Sequence, residues 1–298
     1  MNSVPKQLAT FVAVLAVLFA GGAVAGQLID PDARGEDSSM SGHGAEPSHE
    51  DDSHMTSTST EVHGLAVADG GLRVEVEQPE LRRGREQTIA FRIVDGNGDA
   101  VRDFDVTHEK RMHLIIARRD LTGFQHLHPE MAADGTWSAP VTVPEAGSYR
   151  LFADFSYRDE AITLATDLRV DGDADLKALP AAQETGVSDG GYDVQLEAAN
   201  ARAGRESELR FAITRDGEPV DTEPYLGAGG HLVALREGDL AFLHVHPIEG
   251  EHGDSAADEH GDVGFAATFP TAGRYRLFLQ FKHEARVQTV AFTQEVSR

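Results

Sequence analysis

Apolar and polar residues alternate along most of the chain in short runs, at 72–77, 87–94, 111–118, 124–129, 136–143, 148–157 and 161–170. A period of two sends successive side chains to opposite faces of an extended segment, and the runs are separated by Gly, Pro, Asp and Asn, which turn a chain. The runs therefore predict strands. Seven more follow at 192–197, 207–214, 231–236, 241–246, 263–269, 274–283 and 286–296. No long amphipathic stretch with the helical period of about 3.6 residues competes. Two such sets of short strands predict an all-β protein of two tandem immunoglobulin-like β-sandwich domains.

An internal repeat fixes the domain count. LRVEVEQPELRRGRE (72–86) aligns without gaps on YDVQLEAANARAGRE (192–206), and PEAGSYRLFADF (144–155) on PTAGRYRLFLQF (270–281). The domains are expected over 64–171 and 191–298, joined by a linker at 172–190. Tyr149 and Tyr275 each follow a tight turn and open a strand. That is the place from which the tyrosine of a Greek-key corner returns its hydroxyl to the backbone, so both are assigned to structure.

Ahead of the domains the pattern changes. Lys6 precedes an uncharged stretch at 8–29, which is followed by Asp30, Asp32 and Glu36. This charge order puts the N-terminus in the cytoplasm and the rest outside. Residues 1–30 are read as a hydrophobic helix that anchors the chain in the cell membrane. The alternative is a signal peptide cleaved near Ala23-Val24-Ala25, leaving a secreted protein. Residues 31–63, rich in Ser, Thr, Gly, His and acids, are expected to form a disordered tether. The tether carries His43, His49, His54 and His63, with Met40 and Met55 interleaved, a donor mixture suited to copper. A solvated linker that happens to contain histidines is the competing explanation.

The formal net charge of −24 repels phosphate backbones and anionic headgroups. Nucleic acid is therefore not an expected partner, and the membrane is met through the N-terminal segment only. Cations remain plausible ligands. The chain has no cysteine, which excludes disulfides, thiol nucleophiles and a lipid-modified N-terminal cysteine.

Candidate chemistry lies in a motif that occurs twice: a histidine, twelve residues, then His-x-His-Pro. The copies are His113, His126, His128 and His231, His244, His246. Imidazole is the commonest neutral metal ligand near neutral pH, and three per copy suggest a repeated copper or zinc site. The apolar runs on either side of the loop RRDLTG predict a hairpin. If His113 lies opposite His128, with His126 opposite Ile115, all three imidazoles share one face; a slip of one residue sends His113 to the other. Weaker candidates are His108 and Glu109 upstream of the first motif and His283 in the second domain. Histidines before proline can also simply end strands and bond to neighbouring loops.

Enzyme chemistry finds little support. HEKRMH (108–113) and HEDDSH (49–54) each carry one residue too many for a HExxH zinc helix, and no nucleophile elbow or phosphate-binding glycine loop is present. The chain is read as a non-enzyme with no catalytic residues.

The stretches VTHEKRMHLIIARRDLTGFQHLHPEMAADGTW, PEAGSYRLFADF, PYLGAGGHLVALREGDLAFLHVHP and AGRYRLFLQF resemble a family of bacterial membrane-anchored, extracytoplasmic two-domain proteins often labelled heavy-metal-binding. More weakly, the domains resemble YtkA-like and CopC-like sandwiches. The resemblance covers nearly all of 62–296 and implies metal-binding roles for His108, Glu109, His113, His126 and His128, and for His231, His244 and His246. Gln280 stands where an acid is usual. Two functions follow as expectations: capture, buffering or delivery of copper or zinc outside the membrane, with an envelope metal transporter as a candidate partner, or a non-enzymatic interaction or scaffold module with structural histidines.

Overall fold

The computed structural model describes residues 62–298 except 199, 244 and 249–261. Residues 1–30 and the tether as far as 61, with Met40, His43, His49, His54 and Met55, lie outside the described residues, as does His244. Among the described residues no helix is long and apolar enough to cross a membrane.

Domain 1 contains β1 (Ala68–Asp69), β2 (Leu72–Val76), β3 (Glu80–Leu81), β4 (Glu86–Val94), β5 (His113–Arg118), β6 (Gln125–Leu127), β7 (Glu130–Met131), β8 (Trp137–Thr142), β9 (Gly147–Tyr157) and β10 (Glu160–Val170). Its sheets run β1-β2-β4-β8-β7 and β3-β10-β9-β5-β6. With β2, β4, β5, β7, β8, β9 and β10 as strands A to G, these are the A-B-E-D and G-F-C sheets of an immunoglobulin domain.

Domain 2 contains β11 (Thr185–Val187), β12 (Asp193–Ala198), β13 (Glu206–Arg215), β14 (Glu218–Pro219), β15 (His231–Arg236), β16 (Phe242–Leu243), β17 (Val245–Pro247), β18 (Val263–Thr268), β19 (Gly273–His283) and β20 (Arg286–Val296). Its sheets, β11-β12-β13-β18-β17 and β16-β15-β19-β20, repeat the order. The protein is two tandem immunoglobulin-like sandwiches.

Alternation builds each core. Leu72 and Val74 of β2 and Trp137, Ala139 and Val141 of β8 point inward while their neighbours face solvent. Tyr149 Oη donates to Glu145 O at 2.9 Å and Tyr275 Oη to Thr271 O at 3.0 Å, so both tyrosine corners form.

Strand β5 departs from the alternation, because all six of its residues are buried. Leu114 and Ile116 enter the core of domain 1, whereas Ile115 and Ala117 enter a separate apolar cluster with Phe152, Val233, Leu235 and Phe278. The two domains thus meet through the outer faces of their G-F-C sheets. Phe124 of domain 1 stacks on Phe278 of domain 2 with ring centroids 4.0 Å apart.

The linker is more ordered than its composition suggests. Thr185–Val187, expected within the linker, forms the edge strand β11 against β12. Earlier in the linker, Lys177 N donates to Asp120 at 2.8 Å, and Arg118 donates to Asp175 O at 3.2 Å. The end of the tether is a strap between the domains. His63 O accepts from Phe242 N of domain 2 at 3.0 Å, while Gly64 N donates to Thr163 O of domain 1 at 3.2 Å. Arg150 holds the same strap by donating to Gly64 O at 3.1 Å and Leu65 O at 2.7 Å. Gly64 has φ +69°, and a Cβ there would lie 2.7 Å from Phe242 Cβ, so glycine is required on two counts.

Candidate metal centre

The register of the first hairpin decides the site. Leu114 pairs with Leu127, Ile115 with His126 and Ile116 with Gln125, which continues to His113 opposite His128. The three imidazoles therefore share one face of β5 and β6, and that face looks into the domain junction. One ring nitrogen from each of His113, His126 and His128 lies within 4.8 Å of the others.

Hydrogen bonds assign the protons on two of these rings. His113 Nε2 lies 3.1 Å from Thr107 O, which can only accept, so His113 is protonated there and presents an Nδ1 lone pair. His126 Nδ1 lies 2.7 Å from Gln280 Oε1, and the same amide donates from Nε2 to Thr289 Oγ1 at 3.2 Å; in this orientation His126 carries its proton on Nδ1. This leaves His126 Nε2 unprotonated. It lies 3.0 Å from His113 Nδ1, so two lone pairs face each other. His128 Nε2 is buried with no hydrogen-bond partner among the described residues. Two nitrogens bound tetrahedrally to one ion, each about 2.0–2.1 Å from it, would lie about 3.3–3.4 Å apart. The His113–His126 pair is already near that spacing, and a His128 ring nitrogen lies within 4.8 Å of the other two ligand atoms.

The surroundings keep the rings neutral. Burial, reinforced by His113 and His128, pushes the His126 pKa down to about 3. Burial, then His113 and Lys110, brings His128 to about 4. His231 is held well below the ordinary histidine value, first by burial and then by the other imidazoles. Near neutral pH these nitrogens need not lose a proton before they bind a cation. Asp154, opposite His113 in the β5–β9 register, accepts from Thr163 Oγ1 at 2.7 Å, and burial pushes its carboxyl pKa up.

Two further histidines complete the cluster. His231, from β15 of domain 2, stacks on His126 with centroids 4.8 Å apart and on His113 at 5.5 Å. His108 is edge-on to His113 at 6.1 Å and to His231 at 5.8 Å. It sits in a Thr107–Lys110 turn where His108 (φ 51°) and Glu109 (φ 62°) are both left-handed, which costs of order 1–3 kcal/mol per residue. The matching turn of domain 2 has Leu226 and Gly227 at these positions. Domain 1 thus carries two strained residues where its sister needs one, and one of them is a cluster imidazole.

The other candidates lie elsewhere. The second motif leaves its hairpin early: Phe242–Leu243 pairs with β15, but Val245–Pro247 crosses to β18 in the opposite sheet, where His246 is exposed. Among the described residues His246 joins no metal-ligand group. The physical reason is that β16 stops after two residues, so the register that would place His246 opposite His231 is not continued. Glu109 is exposed beside Gly227. His283 Nδ1 is engaged with Tyr192 Oη at 2.7 Å, away from the cluster. Among the described residues the histidines gather in one cluster, at the junction, and His244 of the second motif lies outside those residues.

A family model for a domain of unknown function matches residues 66–172 and 185–298. The chain belongs to the DUF8832 family. No curated protein matches it. Among solved structures, the Escherichia coli adhesin FdeC is similar at 15% identity over 78% of this chain and 66% of its own, with a TM-score of 0.27. A Salmonella α2-macroglobulin is similar at 13% identity over 80% of this chain and 15% of its own (TM-score 0.27). The Yersinia pseudotuberculosis adhesin InvE is similar at 10% identity over 76% of this chain and 59% of its own (TM-score 0.22). The DUF8832 chain spans less than two thirds of each of these proteins, and overlap at this level says nothing about function.

Sequence reasoning brought His113, His126 and His128 to one face but did not find the residues of the other half that join them. His231 and Gln280 reach the cluster from domain 2 across the junction. A signal for that junction exists in the DUF8832 chain: LIIA (114–117) and LVAL (232–235) are unbroken apolar runs, the mark of a strand covered on both faces.

Proposed function

We propose that the protein is an extracytoplasmic, membrane-associated metal-binding protein that captures a copper or zinc ion at its domain junction, for buffering or for delivery to an envelope transporter. The observation that carries this reading is the set of inward nitrogens: His113 Nδ1 and His126 Nε2 facing each other at 3.0 Å, with His128 Nε2 buried and unpartnered among the described residues. Three imidazoles without thiolates or a carboxylate cage suit copper or zinc and disfavour calcium and magnesium. The outer nitrogens of His113 and His126 donate to oxygen acceptors, as metal-bound histidines usually do. The net charge of −24 favours attracting cations. The uncharged stretch at 8–29 supports an anchor that holds the domains outside the cytoplasm, and secretion after cleavage is the alternative.

The test is calorimetric titration of the chain with Cu(I), Cu(II) and Zn(II), beside a His113→Ala, His126→Ala, His128→Ala variant. Tight binding by the parent and its loss in the variant are expected. A parent that binds none of the ions more tightly than the variant overturns the proposal. A His244→Ala, His246→Ala variant reports whether the second motif contributes.

One observation favours a second reading, a non-enzymatic scaffold module with structural histidines. If the Gln280 amide is turned over, its Nε2 donates to His126 Nδ1 and His126 Nε2 donates to His113 Nδ1. The network then closes without an ion and serves as a polar clasp between the domains, leaving only His128 Nε2 unpaired. In that case the triple variant loosens the junction and leaves the titration flat for parent and variant alike.

A further inference from the structure

The geometry points to Gln280 as the positioning residue of a metal site whose ligands lie in the other domain, so that metal binding and domain docking form one linked equilibrium. This inference rests on the metal reading above and concerns how the site is controlled.

Each domain carries the same polar row across strands C, F and G. In domain 1 it is His113, Asp154 and Thr163; in domain 2 it is His231, Gln280 and Thr289. In both, the threonine hydroxyl bonds to the F-strand residue, at 2.7 Å for Thr163–Asp154 and 3.2 Å for Thr289–Gln280. The threonine holds the Gln280 side chain in place, and with the amide nitrogen on Thr289 its oxygen reaches across the junction to His126 Nδ1 at 2.7 Å. Gln280 is 7% exposed, so little water is present to replace this bond.

A ligating imidazole needs its second nitrogen held by an acceptor, which selects the tautomer, aims the ring and raises its basicity. Thr107 O of domain 1 does this for His113, whereas domain 2 does it for His126. If the domains part, His126 loses its acceptor and His231 no longer covers its ring. Whatever docking adds to metal affinity, metal must return to docking by the same factor. An amide at position 280 also accepts the bond without placing a carboxylate in the buried junction.

The test uses the full chain with Zn(II) and Cu(II) as probes and compares Gln280→Leu with Gln280→Glu. Gln280→Leu keeps an apolar side chain of similar size but offers no acceptor, and is expected to weaken binding by about 10–100-fold. Gln280→Glu restores an acceptor and is expected to recover or exceed the parent affinity. Hydrogen exchange at β15 and β19 is expected to slow on metal addition in the parent and to change little in Gln280→Leu. Equal affinity in the parent and Gln280→Leu, or equal weakening in both variants, overturns the inference and leaves the metal reading intact. A parent that binds neither ion removes the metal reading itself.

Discussion

Lowering the pH from about 7.5 to about 5 is expected to destabilise domain 1 well before its carboxylates titrate. His126 and His128 have folded pKa values of about 3 and about 4, against an ordinary 6.5. Between those values the unfolded chain binds protons that the folded chain refuses, so stability falls as pH drops through about 6.5. The loss stops growing below the folded values. At pH 5 an unfolded histidine is about 97% protonated and a folded one at most about 10%, which costs about 2 kcal/mol per residue. Because the mutual repulsion of the imidazoles enters both shifts, the pair together costs less than twice that, about 3 kcal/mol. This is a large share of a typical folding stability of about 5–15 kcal/mol. Asp154 acts in the opposite sense: its raised pKa lets the folded state take up a proton first, so acid favours folding at that group. Trp137, the chain's single tryptophan, is 3% exposed in the core of domain 1 and reports its unfolding. The assay is the urea midpoint, followed by Trp137 fluorescence from pH 7.5 to 5, for the parent and a His126→Asn, His128→Asn variant. The parent midpoint should fall with acid and the variant's slope should be shallower. A flat parent profile, or equal slopes, refutes the reasoning.

Other outcomes follow from the same contacts. Saturating Zn(II) at about 100 times its Kd is expected to add about 2.7 kcal/mol to domain 1 stability at pH 7.5, and no shift in the urea midpoint contradicts binding to the folded state. Gly64→Ala places a methyl against Phe242 and Phe152 at a left-handed backbone position, and is expected to cost about 1–3 kcal/mol, read as faster hydrogen exchange at the amides of Phe242 and residue 64. Phe278→Ala removes the ring stacked on Phe124 and is expected to cost about 3–5 kcal/mol. Limited proteolysis of the 172–184 linker should accelerate with it; unchanged cleavage speaks against a docked junction. Tyr149→Phe is expected to cost about 1 kcal/mol, measured by thermal melting, because Glu145 O loses its buried donor.

The sandwiches were legible because alternation and turn residues act locally. LRVEV has one apolar face at any tertiary position, and the Tyr149 corner follows from Pro-x-Ala-Gly-x-Tyr. The first hairpin was legible for the same reason: loop length and the two-residue spacing of His126 and His128 leave one register that keeps Leu114 and Leu127 paired. The second hairpin ends earlier than its identical spacing suggests, because its strand crosses to the other sheet after Leu243, a choice made by pairing with β18 and not by the motif itself. The junction was missed because each repeat was read alone. Neither copy states that Ile115 and Val233 will be buried in one cluster, nor that Gln280 will bond to His126 of its sister domain.

The strap at His63–Ala66 has a mechanical consequence. Residues that lead the chain into domain 1 also bond to domain 2, through His63 O and Phe242 N. A load applied from the N-terminal side therefore reaches the joint between the sandwiches before it reaches either sandwich. The strap is held by a few isolated hydrogen bonds, whereas each sandwich is closed by continuous ladders such as the eleven-residue β9–β10 pairing. Under tension the strap yields first, the joint second and the domains last, and the histidine cluster lies in the element that opens second.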